Sequence, residues 1–211
     1  MTGSFGYGQM GLADGNDPFN ALAFIIRAAL AELSIAKIVR VEAVHAGATD
    51  LDAPTVDVLP LVSQVDGNGN AVEHGTVHGV QVLRLQAGAW AIIADPVVGD
   101  VGFIVCADRD SSSAAASPGE QVTPGSGRMW DLADAVYVGA MLNAAPDQYI
   151  QLNPDGSLKI ADGFGNVLET SATGFAVTTA PGGDFTVNGI SVTLHVHPVT
   201  TAPGTTGPPV P

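Results

Sequence analysis

Basic residues are scarce in this 211-residue chain: 7 Lys and Arg stand against 21 Asp and Glu, for a formal charge of -14. That balance opposes the counterion release that draws proteins onto nucleic acid, and no nucleic-acid partner is expected. It equally opposes adhesion to anionic lipid. Cysteine is scarcer still. Cys106 stands alone, which excludes an internal disulfide framework; it ends the apolar run 103–106 with no cation before Arg109, and reads as a packed thiol rather than a nucleophile. Residues 21–33 are apolar but too short to span a bilayer, and Arg27 and Glu32 interrupt them. No basic segment precedes an apolar stretch near Met1, so synthesis in the cytoplasm without a signal peptide is expected. Ser/His/Asp order, a phosphate loop and zinc-hydrolase spacing are all missing, and the chain is not expected to be an enzyme.

What is present is turn chemistry. With 26 Gly, 14 Pro and only 13% charged residues, short strands are expected rather than many helices. Residues 1–16 read as a flexible Gly-rich arm. Asp17-Pro18 then starts a helix over 17–33, Asp as N-cap and Pro at the first helical position, with Phe19, Leu22, Ile26, Leu30 and Leu33 forming one apolar stripe. Its partner is either its own domain or another subunit. Strands follow at 35–44, 55–62, 77–85, 89–94 and 101–106, with a turn at 66–70. This spacing fits a small antiparallel Greek-key barrel of the OB type. The basic groove and stacking aromatics of a nucleic-acid-binding barrel are absent, so the barrel is read as a structural module. Low-complexity residues 111–127 read as a loop, and Trp130–Val138 completes or covers the barrel.

The last third changes character. Strands at 149–152, 157–160, 166–170, 175–178, 184–187 and 190–197 are separated by Pro154-Asp-Gly156, Asp162-Gly163, Thr173-Gly174, Pro181-Gly-Gly183 and Asn188-Gly189. Each strand offers about two large apolar side chains. Burial at roughly 25 cal/mol per Å² must exceed an ordering cost of about 1 to 2 kcal/mol per residue, which so few side chains cannot do in one copy. Three chains wound around one axis supply the missing partners, with Ile150, Leu152, Leu158, Ile160, Phe175, Val177, Phe185 and Val187 facing inward.

Near the C-terminus stands His195-Val-His197. Neutral imidazole ligates divalent transition metals, but two nitrogens leave a site incomplete. The remaining ligands come either from distant residues of the chain or from identical residues of other copies. On a regular strand Ile190, Val192, Leu194 and Val196 share one face, which puts both histidines on the other. His74 and His78, flanked by glycines in a strand region, read as solvated, and so does His45. Asp108-Arg109-Asp110 reads as an ion-paired turn at a barrel corner rather than a catalytic carboxylate pair.

Asp95-Pro-Val-Val-Gly-Asp-Val-Gly-Phe-Ile-Val-Cys-Ala-Asp-Arg-Asp110, followed by Trp130-Asp-Leu-Ala-Asp-Ala-Val-Tyr-Val138, the Asp-Gly-punctuated strands and the terminal His-x-His, resembles the central spike proteins of contractile-tail bacteriophages. The resemblance runs from about Ile35 to the C-terminus. It implies a mainly β homotrimer in which the N-terminal helix is followed by an OB-fold collar over 34–145, an intertwined trimeric β-helix or β-prism shaft over 146–197, and a tip where the Pro/Gly tail over 198–211 lies. It further implies one Fe ion per trimer on the threefold axis, ligated by His195 and His197 of each chain, although imidazole also suits Zn and Ni. The implied partners are a tail hub or baseplate protein, met through the N-terminal region, and the host outer membrane as target; the implied place is the virion, at the tip of the tail baseplate. Two other readings stay open: a trimeric tail-fibre-like adhesin for a surface glycan, and a mononuclear metalloenzyme using His195, His197 and a carboxylate.

Overall fold

The structure, a computed structural model, describes residues 15, 17–31, 33–49, 51–65, 70–141 and 143–196. The 198–211 tail, His197, the turn residues 66–69 and nearly all of the 1–16 arm lie outside them. Contacts divide the chain into two compact units, residues 1–143 and residues 144–211.

The first unit opens with α1 (Pro18–Ala31). The Asp17 carboxylate accepts the Asn20 backbone N–H at 3.0 Å, an N-cap that satisfies a donor the helix leaves unpaired. No residue of α1 is buried. Five strands, β1 (Ala36–His45), β2 (Thr55–Pro60), β5 (Val77–Val82), β8 (Val101–Cys106) and β9 (Ala135–Ala140), close a barrel in the order β1-β2-β5-β9-β8. Alternation sends every second side chain inward. Val39, Val41, Val56, Val58 and Ile104 are sealed completely or almost so, and Val80, Val82, Cys106, Ala135 and Tyr137 complete the core.

Three features differ from the sequence expectation. The closing pair β5/β9 is parallel, not antiparallel, because the chain crosses the barrel end before β9 enters. The apolar runs near 85 and 90 do not join the barrel. They form an outer hairpin, β6 (Leu85–Ala87) with β7 (Trp90–Ile92), whose every residue is exposed; β3 (Gln64–Val65) and β4 (Ala71–Val72) form another. Finally, the low-complexity loop contains a short helix, α2 (Ser112–Ala116).

Glycine is required at position 102. A Cβ there would collide with the Gly139 carbonyl oxygen and the Tyr137 hydroxyl, so the bare backbone of β8 makes the room that the Tyr137 ring fills.

The second unit is a meander of four antiparallel strands, β10 (Tyr149–Leu152), β11 (Leu158–Ala161), β12 (Val167–Ser171) and β13 (Gly174–Thr178), followed by the hairpin β14 (Thr186–Val187) and β15 (Ile190–Ser191). Asn188 and Gly189, with φ of 50° and 78°, make the left-handed two-residue turn that the Asn-Gly pair announces. The strand expected over 190–197 stops at Ser191, and residues 192–194 turn. Side chains replace the ladder there. The Thr193 hydroxyl donates to Asp184 at 2.8 Å, and the Leu194 N–H donates to the Ser191 hydroxyl at 2.7 Å.

Candidate functional site

Register places the apolar residues of the meander in rows. Ile150 faces Ile160, Ile160 faces Leu168, and Leu168 faces Val177; Leu152 faces Leu158, and Thr170 faces Phe175. Since residues two apart along a strand point the same way, Ile150, Leu152, Leu158, Ile160, Phe175 and Val177 share one face. The opposite face carries Gln151, Lys159 and Glu169 in one row. In the single chain the apolar face is open: Ile150 is 67% exposed, Leu152 81% and Phe175 63%. A sheet with one apolar and one polar side demands a cover for the apolar one.

His195 follows the 192–194 turn and is half-buried. The turn ends the alternation of β15, so the face of Ile190 no longer dictates the direction of His195. That removes the parity conflict expected from a continuous strand. The structure describes one member of the His195/His197 pair and so does not bring the two together. Among the described residues, no group of three or more His, Cys, Asp or Glu side chains is placed to hold a metal ion. The donor chemistry still bears on the question. Two imidazoles from one chain leave a six-coordinate ion four ligands short, and three copies supply six.

Two other clusters emerge in the barrel. Asp57 on β2 accepts from His78 Nδ1 at 2.8 Å, from the Gly79 N–H at 3.0 Å, and lies 3.1 Å from His45 Nε2. The three residues lash β1, β2 and β5 together across a ladder irregularity at Asp57. These bonds, with that from His78 foremost, hold the Asp57 carboxyl down at about 2. His45 and His78 are exposed, as expected of solvated side chains, and both also bind one carboxylate. His74 departs from that expectation, since its Nε2 is buried.

The second cluster sits around α2. Arg128 bridges two buried carboxylates, reaching Asp110 at 3.0 Å and Asp134 at 2.9 Å. Ser126 donates to Asp110 at 2.6 Å, and the Ser111 N–H to Asp134 at 2.9 Å. Hydrogen bonds from Ser112 and Ser126 hold Asp110 at about 2, and Arg128 lowers Asp134. Asp110 is thus ion-paired, but with Arg128; the adjacent Arg109 donates instead to the Asp108 carbonyl. These bonds tie residues 110–112 and 126–134 to one another.

A cavity of about 790 Å³ opens between the outer hairpin and β9. Arg84 lies on its wall with its guanidinium nearly sealed, paired to Asp95 at 2.6 Å. No helix among the described residues is long and apolar enough to cross a membrane. No protein-family model matches the chain, and no curated protein does so either.

Proposed function

We propose that the chain is a structural virion protein, the homotrimeric central spike of a contractile-tail baseplate, which pierces the host outer membrane mechanically. One observation carries the reading: seven apolar side chains of β10–β13, Leu168 of β12 among them, line up on a single face that one chain leaves largely open. Three such faces turned to a common axis bury one another and leave the polar row outside. This supports an intertwined shaft over 146–197. The barrel order, first-second-third-fifth-fourth with a parallel closing pair, supports an OB-type collar over 34–145. The N-terminal region, arm and helix, faces a tail hub.

His195 and His197 of three chains would hold a single ion, iron by resemblance and zinc or nickel by donor chemistry. When bound, such an ion cross-links chain ends where fraying is otherwise expected. No bond is made or broken in the piercing step. Sheath contraction does the work, and the acidic surface keeps the spike off anionic lipid and genome during assembly.

Native mass spectrometry with metal analysis tests the reading. One iron in each three-chain assembly is the expected result, and His195→Ala with His197→Ala loses the iron while keeping three chains together. One metal per chain in a monomer would sink the spike in favour of a mononuclear enzyme.

A further inference from the structure

We propose that α1 is a self-association element, three copies of which pack side by side along one axis. The inference rests on the trimer reading and extends it, leaving residues 1–16 for the hub. In α1, Phe19, Leu22, Ile25, Ile26 and Leu30 are between 49% and 77% exposed. At about 100° per residue these side chains project on one side of the helix. Of the half-covered positions, Asn20, Phe24 and Ala28 project on the diametrically opposite side, Ala21 lies beside them, and Ala23 borders the open side. The helix therefore has one sheltered flank and one apolar flank facing away from it.

The spacing of the open flank identifies its occupant. Within α1, Phe19, Leu22, Ile26 and Ala29 follow the alternating three-and-four spacing of a heptad seam, which Leu33, beyond the helix end, continues in sequence only. Ile25 and Leu30 widen that seam on its two edges. One partner helix covers a seam and leaves its edges wet; two partners, as in a closed three-helix arrangement, cover both. Charge favours like meeting like here. The chain carries -14 overall, so copies repel in general, whereas the one charged side chain within α1, Arg27, lies off the stripe. A helix lying on a membrane surface draws on Lys and Arg along its polar face, and α1 has only that one.

Five open side chains per helix fall well short of the roughly 20–30 residues a side of a stable interface. Free helices would not hold together, but helices tethered in one trimer meet at an effective concentration of about millimolar. The bundle then forms as a consequence of the shaft.

Leu22→Cys and Arg27→Cys in the full chain, oxidised and run without reductant beside sedimentation equilibrium, test this. The native Cys106 is buried and stays silent. A disulfide needs Cα atoms within about 7 Å, so the Leu22→Cys protein links two of every three chains, and the Arg27→Cys protein links about tenfold fewer. A sedimenting trimer with no link at position 22, or with equal links at both positions, overturns the bundle, leaves the trimer reading intact and assigns the helix face to a different partner. A sedimenting monomer overturns both.

Discussion

Strand alternation is much the same in the barrel and in the β10–β13 meander, yet their interiors differ. The barrel buries ten hydrophobic residues, while no described residue of 144–196 is buried. The difference is closure. Five strands hydrogen-bonded into a ring turn their inner faces toward one another within one chain, and β9 completes the ring by pairing with both β5 and β8. Four strands in an open meander have one apolar face and nothing of their own to set against it. Alternation states which side chains share a face; only topology states whether that face becomes a core.

The sharpest break of this comparison is a matched pair of truncations. Ile104→Ala removes a side chain with no exposed surface and should destabilise the barrel by about 2–5 kcal/mol, read as a lower urea midpoint. Ile160→Ala trims the meander's open face, where the residue is 38% exposed. It should leave the barrel transition in place and weaken assembly of three chains, read by sedimentation. If Ile160→Ala lowers the barrel midpoint as much as Ile104→Ala does, the two units do not have separate sources of stability.

Much of this division was legible from local sequence, and the parts that were not share a cause. The Asp17-Pro18 start, the alternating valines of β1, β2 and β5, and the Asn188-Gly189 turn depend on near neighbours, and near neighbours are what a sequence displays. The outer hairpin was misread because Trp90–Ile92 is as apolar as a barrel strand; its partner, not its composition, puts it outside. The parallel β5/β9 closure joins segments more than fifty residues apart. Arg128 reaches Asp110 across α2, while the adjacent Arg109 was the nearer guess. Near the C-terminus, the expected strand ended early because Thr193 and Ser191 offered side-chain hydrogen bonds that competed with the ladder. His195 was legible as a candidate, but its position after a turn was not.

Acid should separate the units more gently. In the barrel, Asp57 and Asp110 are both held at about 2, and their bonds join elements distant in sequence. In the meander and its hairpin, Asp155, Asp162 and Asp184 are also lowered, by hydrogen bonds dominated by Ser157, Asn166 and Thr193 respectively. A carboxyl whose folded value lies below its ordinary one of about 3.9 contributes stability above that value and loses it as pH falls toward the folded one. Between about pH 4 and 2, the barrel should therefore lose cooperative stability, seen as a falling urea midpoint. The hairpins should show only faster amide exchange near their turns. Asp57→Asn should flatten the barrel's acid dependence without abolishing it, because Asp110 and Asp134 still titrate. An unchanged slope would mean that the lashing of β1, β2 and β5 adds nothing.

The smallest expected effect concerns the one place where the closed core is imperfect. Tyr137 is 1% exposed and its hydroxyl has no hydrogen-bond partner among the described residues; burial and the nearby Asp100 push the phenol's ionisation upward. A buried hydroxyl without a partner forfeits its hydration, a cost of about 1–3 kcal/mol, while the ring itself fills space that Gly102 opens for it. Tyr137→Phe keeps the ring and removes the stranded group. It should raise the barrel's stability by up to about 1 kcal/mol after loss of the oxygen's packing contacts, measured as a higher urea midpoint with an unchanged slope. A fall in the midpoint would show that the hydroxyl is satisfied in solution, by an ordered water between β8 and β9 for instance. The barrel core would then be closed by hydration as well as by side chains.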